Sequence, residues 1–198
     1  MDRRPLLLCP LLALSGLSPP LRAAPPVTAD RDADALSLLA RGGVVLALRH
    51  ALAPGTYDPP QFRLGDCSTQ RNLNDAGRAQ ARALGDRLRS AGLTPARVRS
   101  SPWCRCMETA ELAFGRADPW PALGSPRAGT DTTNAGSLAA LRQAVAAAAR
   151  HPGRFDAWVT HMFVLSALVR ADTSSGEGLV LGQDRQGDTV VLARLGAA

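Results

Sequence analysis

Apolar runs that end in a histidine are the strongest feature of the hydrophobic pattern. Residues 44–48 are all apolar, and Arg49 and His50 follow them directly. A second, mostly apolar run over residues 155–160 ends at His161. Unbroken apolar runs of this length are typical of strands buried on both faces of a sheet. Because sites in open α/β sheets lie just beyond the carboxyl ends of the strands, both histidines are candidate site residues.

The rest of the chain alternates between helical and strand patterns. Apolar positions at helical spacing predict helices over residues 32–41, 74–90, 103–114, 137–150 and 162–170. Shorter runs predict strands that end near residues 49, 100 and 160, and a terminal hairpin formed by residues 178–182 and 189–195. This order predicts an α/β fold, specifically a three-layer α/β/α sandwich with a mostly parallel central sheet. Two long connections, residues 52–71 and 115–135, are expected to shape the substrate site.

The beginning of the chain has the pattern of a secretory signal peptide. A charged start is followed by an apolar stretch over residues 6–17, by two helix-breaking prolines and by the small residues Ala23-Ala24. We therefore expect residues 1–23 to be removed, residues 24–198 to form one folded domain, and the protein to be periplasmic or secreted. No other stretch is long and apolar enough to predict a stable membrane span.

The charge pattern argues against a nucleic-acid partner. The formal net charge is +6, and all 23 basic residues are arginine. These arginines are spread along the chain rather than gathered into a basic stripe with interleaved aromatic residues. The absence of lysine is better explained by a compositional bias of the source genome than by selection of arginine for anionic ligands.

Three cysteines remain beyond the predicted signal peptide. In an oxidising compartment they allow one disulfide, from Cys67 to either Cys104 or Cys106, because Cys104 and Cys106 are too close to pair with each other. A zinc site is the competing interpretation. It is weaker, since no histidine lies at ligand spacing from these cysteines.

The predicted strand ends carry a set of residues suited to binding a tetrahedral oxyanion. Arg49 and His50 follow one strand, Arg105 follows another by a few residues, and His161 follows a third. If these strands are neighbours, two guanidinium groups that donate paired hydrogen bonds meet two imidazoles. One histidine can then act as a nucleophile while the other stabilises the transferred group. Taken singly, Arg105 fits a surface salt bridge and His161 fits a core histidine, so only the combination indicates a site.

These motifs, in this order, resemble the histidine phosphatase superfamily in its phosphoglycerate mutase-like branch. The matching positions are Arg49-His50, Leu73-Asn74, Gly77, Gln80-Ala81, Ser100-Ser101-Pro102, Arg105, Thr109-Ala110 and Thr160-His161. The resemblance implies that His50 attacks phosphorus and becomes a transient phosphohistidine. It also implies that Arg49, Arg105 and His161 bind the phosphoryl oxygens, and that no metal or other cofactor is needed. The second nitrogen of His50 is then expected to donate to a backbone carbonyl or a carboxylate.

The sequence departs from the pattern of this superfamily at two points. Ala51 stands where the superfamily usually has glycine. In this respect the chain resembles an exported branch, the phosphatases that act on heptose phosphates of the lipopolysaccharide core. The glutamate that usually serves as the acid has no clear counterpart, and Asp131 is the candidate for that role, ahead of Asp118.

The resemblance predicts an exported, metal-independent phosphatase for a phosphate monoester or a phosphoramidate. The expected partner is a small phosphorylated substrate, with an envelope sugar phosphate as one candidate. Two alternatives stay open. The first is a catalytically degenerate member that binds phosphate or phosphoglycans, and the second is a redox protein that uses Cys104 and Cys106.

Overall fold

The computed structural model describes residues 27–125 and 134–198. These residues form five α-helices, six β-strands and two short 3-10 turns. In chain order the elements are α1 (Val27–Arg41), β1 (Val44–Arg49), a turn at Cys67–Thr69, α2 (Asp75–Ser90), β2 (Arg97–Ser100), α3 (Cys104–Phe114), β3 (Asp118–Pro119), a turn at Pro121–Leu123, α4 (Ala135–Ala149), β4 (Phe155–Thr160), α5 (Met162–Val169), β5 (Gly178–Gln183) and β6 (Thr189–Leu195).

The six strands form one mixed sheet in the order β3-β2-β4-β1-β5-β6. The pairings of β3 with β2, β2 with β4 and β4 with β1 are parallel, while β5 pairs antiparallel with both β1 and β6. The two strands with the longest apolar runs, β1 and β4, lie in the middle of the sheet. Their position explains why the sequence pattern there is almost continuously apolar. The predicted α/β class and mostly parallel sheet are confirmed.

Apolar side chains cover both faces of the sheet. Along β1, Val44, Leu46 and Leu48 belong to a core cluster that includes buried residues of α1, α2 and α3. The alternate positions Val45 and Ala47 belong to a second cluster with α4 and α5. Successive side chains of a strand point to opposite faces, so the two clusters lie on opposite sides of the sheet. The three-layer arrangement stays a prediction. It requires helices packed on both faces of the sheet, and the two clusters are consistent with it.

The structure differs from the sequence prediction at two elements. Helix α1 begins at Val27 rather than at residue 32. Strand β3 lies within the connection that was expected to have no regular structure, where Trp120 N donates to Ser100 O at 2.7 Å. A strand of two residues is too short to produce a hydrophobic period, so no local pattern could have indicated it.

A disulfide decides between the two pairings that the sequence left open. Cys67 pairs with Cys104, with 5.7 Å between their Cα atoms, while Cys106 is a free and buried cysteine. The disulfide attaches the long connection after β1 to the first residue of α3. Burial raises the pKa of the Cys106 thiol to about 12.

The predicted signal peptide, residues 1–23, lies outside the described residues. Within residues 27–125 and 134–198, no helix is long and apolar enough to cross a membrane. The same part of the chain holds no group of three or more histidine, cysteine or acidic side chains placed to bind a metal ion.

The contact between α2 and α3 depends on a glycine. A Cβ atom added to Gly85 would lie 2.2 Å from the carbonyl oxygen of Ala113. We therefore expect Gly85→Ala to lower the free energy of unfolding by about 1–3 kcal/mol, because the two helices must separate. Urea denaturation measures the change.

Gly136→Ala is the matched control for this substitution. Gly136 is an exposed helical glycine, and its added Cβ would meet only the side chain of Asn134 at 3.4 Å. This change should be neutral or stabilise by up to about 1 kcal/mol, because it restricts the unfolded chain. Equal effects of the two substitutions would contradict the close approach of α2 and α3.

Candidate active site

The parallel strands bring the sequence-predicted residues to one edge of the sheet. Arg49 at the end of β1 pairs with Thr160 at the end of β4, and Ser100 at the end of β2 pairs with Val159. The amide of His50 donates to the carbonyl of Thr160 at 2.9 Å. The residues that follow these three strands are therefore neighbours, as α/β topology requires.

A cavity of about 470 Å³ opens at this edge. It is lined by all four predicted site residues together with residues of the connection after β1, the start of α3 and the start of α5. The lining consists of Arg49, His50, Gly55, Thr56, Tyr57, Asp58, Pro59, Pro60, Phe62, Arg71, Trp103, Arg105, Ser125, His161, Met162 and Phe163.

His50 is buried and held in one tautomer. Its Nδ1 lies 2.7 Å from the carbonyl oxygen of Ala51, which can only accept, so Nδ1 carries the proton. Its Nε2 accepts from Nε of Arg105 at 3.2 Å. Burial lowers the pKa of His50 to about 3, and the nearby guanidinium of Arg105 adds to the effect. His50 is therefore a neutral imidazole whose Nε2 lone pair faces the cationic side of the cavity.

Thr109 fixes the backbone that holds His50. Its hydroxyl accepts from the amide of Ala51 at 3.1 Å and donates to the carbonyl of Arg105 at 2.6 Å. Helix α3 and the residue after His50 are thereby connected through one buried side chain. The carbonyl of Ala51 that accepts from His50 belongs to this same fixed residue.

His161 is buried beside His50, with 5.5 Å between the ring centroids. Its Nδ1 faces Nη2 of Arg105 at 3.4 Å, and its Nε2 lies 2.8 Å from Oγ of Ser101. Guanidinium nitrogens only donate, so Nδ1 accepts and Nε2 donates to Ser101. Burial lowers the pKa of His161 well below its ordinary value, and the charge of Arg105 lowers it further.

Arg105 is the centre of the site. One edge of its guanidinium, formed by Nε and Nη2, faces the two imidazoles described above. The remaining nitrogen, Nη1, donates to Oδ1 of Asp58 at 2.8 Å. The edge formed by Nε and Nη2 therefore faces both histidines. A phosphoryl group bound between the two rings would meet this pair of donors, which is the geometry that suits it.

Arg49 and Arg71 add two further guanidinium groups. Nη1 of Arg49 donates to the carbonyl of Thr173 at 2.7 Å, and Nη1 of Arg71 donates to the carbonyl of Gly55 at 2.7 Å. Each arginine leaves a buried Nε without a protein hydrogen-bond partner. Burial lowers the pKa of both groups, and the charge of Arg105 lowers each further. Three guanidinium groups at one cavity create a positive electrostatic potential that favours binding of an anion.

Sequence reasoning missed Asp58 and Arg71. Both lie in the connection of residues 52–71, which the sequence marked as functional without identifying its residues. Asp58 accepts from Nη1 of Arg105, from the Arg71 amide at 3.0 Å and from Nε1 of Trp103 at 3.3 Å. An aspartate and an arginine at this sequence separation form no periodic pattern, so no local signal could have found them.

The structure leaves the acid unassigned. Asp131 lies outside the described residues. Asp118, in β3, is exposed and does not line the cavity. Among the lining residues described, Asp58 is the one carboxylate. Its Oδ1 accepts from Arg105 and Arg71, and its Oδ2 accepts from Trp103.

These observations define a class of protein. It is an α/β protein with an anion site at the carboxyl edge of a parallel sheet, built from three guanidinium groups and two neutral imidazoles. Such a site can neutralise a tetrahedral oxyanion and present an unprotonated imidazole nitrogen to it.

The family model of the histidine phosphatase superfamily (branch 1) matches residues 45–128. The matched superfamily is the one that the motifs resemble, and the matched segment contains His50 and Arg105. His161 lies beyond it, and the place of His161 in the site rests on the geometry described above. No curated protein matches the chain at a significant level.

Solved structures of phosphatases share the fold. The protein histidine phosphatase SixA complexed with tungstate aligns with a TM-score of 0.52 at 17% identity, over 76% of this chain and 95% of its own. The putative phosphohistidine phosphatase SixA from Agrobacterium tumefaciens gives 0.53 at 21% identity, over 77% and 97%. The mycobacterial glucosyl-3-phosphoglycerate phosphatase gives 0.58 at 17% identity, over 78% and 99%.

Acidification is expected to destabilise the protein through its buried imidazoles. The pKa of His50 is lowered from 6.5 to about 3 on folding, so the unfolded state binds more protons between these values. The stabilisation is complete well above pH 6.5 and is lost progressively as the pH falls toward 3, by up to about 1.4 kcal/mol per pH unit. His50→Asn should therefore flatten the pH dependence of the free energy of unfolding between about pH 7 and pH 5.

His151 supplies the control, because it is exposed in the folded protein. His151→Asn should keep the wild-type pH dependence in the same urea denaturation series. A wild-type slope in His50→Asn would show that His50 is not the buried neutral group that the structure describes.

Proposed function

We propose that this protein is an exported phosphatase that hydrolyses a phosphate monoester or a phosphoramidate through a phosphohistidine on His50. One observation carries the proposal. The Nε2 lone pair of His50 faces the paired edge of Arg105, while the Nδ1 proton is held by the Ala51 carbonyl. The superfamily match and the phosphatases that share the fold support it.

In the first step, Nε2 of His50 attacks phosphorus, and the bond from phosphorus to the leaving oxygen or nitrogen breaks. The Nδ1 proton stays on the ring, and its hydrogen bond to Ala51 stabilises the positive charge that the imidazole acquires. Arg49 and Arg105 bind the phosphoryl oxygens, whose charge is greatest as the group transfers. His161 joins them in its other neutral tautomer, in which Nδ1 donates to the phosphoryl group and Nε2 accepts from the Ser101 hydroxyl. Arg71 joins them, because it lines the same cavity.

In the second step, water attacks phosphorus and the N–P bond breaks. The bonding pair returns to Nε2, so His50 becomes the neutral imidazole again and phosphate leaves. Arg105 serves both steps, because its Nη1 stays attached to Asp58 while Nε and Nη2 remain directed at the reacting group.

The leaving group must depart with little help from the described residues. Asp58 is engaged with Arg105, Arg71 and Trp103 and acts here as the group that positions Arg105. We therefore propose substrates whose leaving groups depart readily, such as phosphoramidates and phosphate esters of acidic hydroxyls.

The engaged state of Asp58 also favours a second candidate function. A cavity that binds phosphate through three arginines, with its one described carboxylate already engaged, suits a degenerate member that binds phosphorylated glycans without hydrolysing them. The two candidates predict the same binding site and differ in whether a covalent intermediate forms.

The proposal of export rests on the signal-like pattern of residues 1–23 and on the Cys67–Cys104 disulfide, which an oxidising compartment maintains. Within such a compartment an envelope sugar phosphate is the proposed substrate. The Arg49-His50-Ala51 motif, which resembles that of the heptose-phosphate phosphatases, supports this choice.

His50→Ala is expected to abolish hydrolysis of a chromogenic phosphate ester, because the nucleophile is removed. When turnover of the wild-type protein is stopped with a quench that is not acidic, a phosphoryl group should remain on His50. Mass spectrometry of the peptide that contains His50 detects it. A chelator should leave the rate unchanged.

His151→Ala is the control, since the exposed His151 lies outside the cavity. It should retain the wild-type rate. Phosphate binding without turnover and without a trapped intermediate would favour the degenerate member. Full activity in His50→Ala would overturn the phosphohistidine mechanism.

Export is tested by the N-terminus of the protein recovered from producing cells. We expect it to begin near Ala24, in the periplasm or the medium, with the Cys67–Cys104 disulfide formed. Deletion of residues 1–23 should retain the protein in the cytoplasm with both thiols reduced. Recovery of the full-length chain from the cytoplasm with Met1 still present would contradict export.

A further inference from the structure

The cavity has an apolar side next to its cationic centre. Tyr57 and Phe163, which are 69% and 44% exposed, line it, and they are two of the five large apolar side chains exposed in the described part of the chain. Pro59, Pro60 and Met162 line the same cavity. Apolar surface gathered at the rim of a polar site is typical of a place where a ligand packs.

This apolar side begins at the phosphoryl centre itself. The ring of Trp103 meets the ring of His161 edge to face, with 5.4 Å between their centroids. Phe62 stacks on Trp103 at 5.5 Å. A group attached to a phosphoryl held between His50 and His161 therefore leaves the cationic centre along an aromatic wall.

A phosphoryl group alone would balance the formal charges of the cavity lining. Arg49, Arg71 and Arg105 face one carboxylate, that of Asp58, and the two histidines are neutral. The lining therefore carries two formal positive charges, which match a phosphate monoester dianion. No further cation lines the cavity among the residues that the structure describes, so a carboxylate on the leaving group would meet no cationic partner among them.

We propose that the leaving group of the substrate is uncharged and contains a ring, which packs against Tyr57 and Phe163. Both an aryl ring and the C–H face of a sugar ring supply this chemistry, whereas a carboxylate-bearing group such as phosphoglycerate does not. The inference rests on the proposed function for the position of the phosphoryl group, and it specifies what that group is attached to.

The test measures binding of phosphonates, which carry a phosphoryl-like group that cannot be hydrolysed. Titration calorimetry on the wild-type protein compares methylphosphonate, phenylphosphonate, cyclohexylphosphonate and phosphonoacetate. We expect at least one ring compound to bind roughly threefold to tenfold more tightly than methylphosphonate. Phosphonoacetate should bind no more tightly than methylphosphonate. The phenyl and cyclohexyl compounds separate an aromatic from a sugar-like preference.

Variants test whether the preference for ring compounds depends on Tyr57 and Phe163. The double variant Tyr57→Ala/Phe163→Ala should lose the advantage of the ring compounds over methylphosphonate. Leu192→Ala is the matched control, because Leu192 is 43% exposed, like Phe163, but lies on β6 outside the cavity. It should keep the wild-type preference. Tighter binding of phosphonoacetate than of both ring compounds, or a ring preference that survives the double variant, would overturn the inference.

Hydrolysis assays distinguish failure of this inference from failure of the proposed function. Suppose that no phosphate ester and no phosphoramidate is hydrolysed, while the phosphonates still show a preference for a ring. This result would contradict the proposed phosphatase activity and support ring packing against Tyr57 and Phe163.

Suppose instead that phosphoramidate and 3-phosphoglycerate are hydrolysed, with no gain in rate for phenyl phosphate or glucose 1-phosphate. This result would support the phosphatase activity and contradict the ring packing.

Discussion

The site depends on keeping two imidazoles neutral among three guanidinium groups. Burial and the charge of Arg105 both lower the pKa values of His50 and His161. Each cation is held by carbonyl oxygens or by Asp58 rather than by a full complement of carboxylates. The cavity therefore carries excess positive charge, which a phosphoryl group relieves. The same excess keeps the Nε2 lone pair of His50 unprotonated for attack.

Two parts of the chain supply this arrangement in different ways. The central parallel strands deliver a histidine at each of two adjacent ends, in rigid register. The connection of residues 52–71 supplies the remaining groups, and it has no regular structure apart from the turn at Cys67–Thr69. It is held by the Cys67–Cys104 disulfide and by the hydrogen bonds that Asp58 accepts from Trp103 and Arg105. Because the disulfide and these hydrogen bonds fix the connection, its side chains can hold defined positions in the anion site.

Much of this arrangement was predictable from local pattern. The runs before His50 and His161 indicated buried strands, and Asn74 indicated the start of α2, where its Oδ1 accepts from the Gly77 amide. Because parallel strands end at the same edge of a sheet, the strand-end residues can be grouped from the sequence alone. Asp58 could not be found in this way, because its role depends on contacts 13 to 47 residues away in the chain.

The sequence by itself determined the α/β class, the strand-end residues and the resemblance to the histidine phosphatase superfamily, because hydrophobic period and motif order are local properties. Only the tertiary structure decided that Cys67 pairs with Cys104 and that Arg71 and Asp58 join the site. It also decided which nitrogen of each histidine carries the proton, and it placed an aromatic wall beside the phosphoryl centre. These features depend on which distant groups become neighbours once the chain is folded, and no local pattern contains that information.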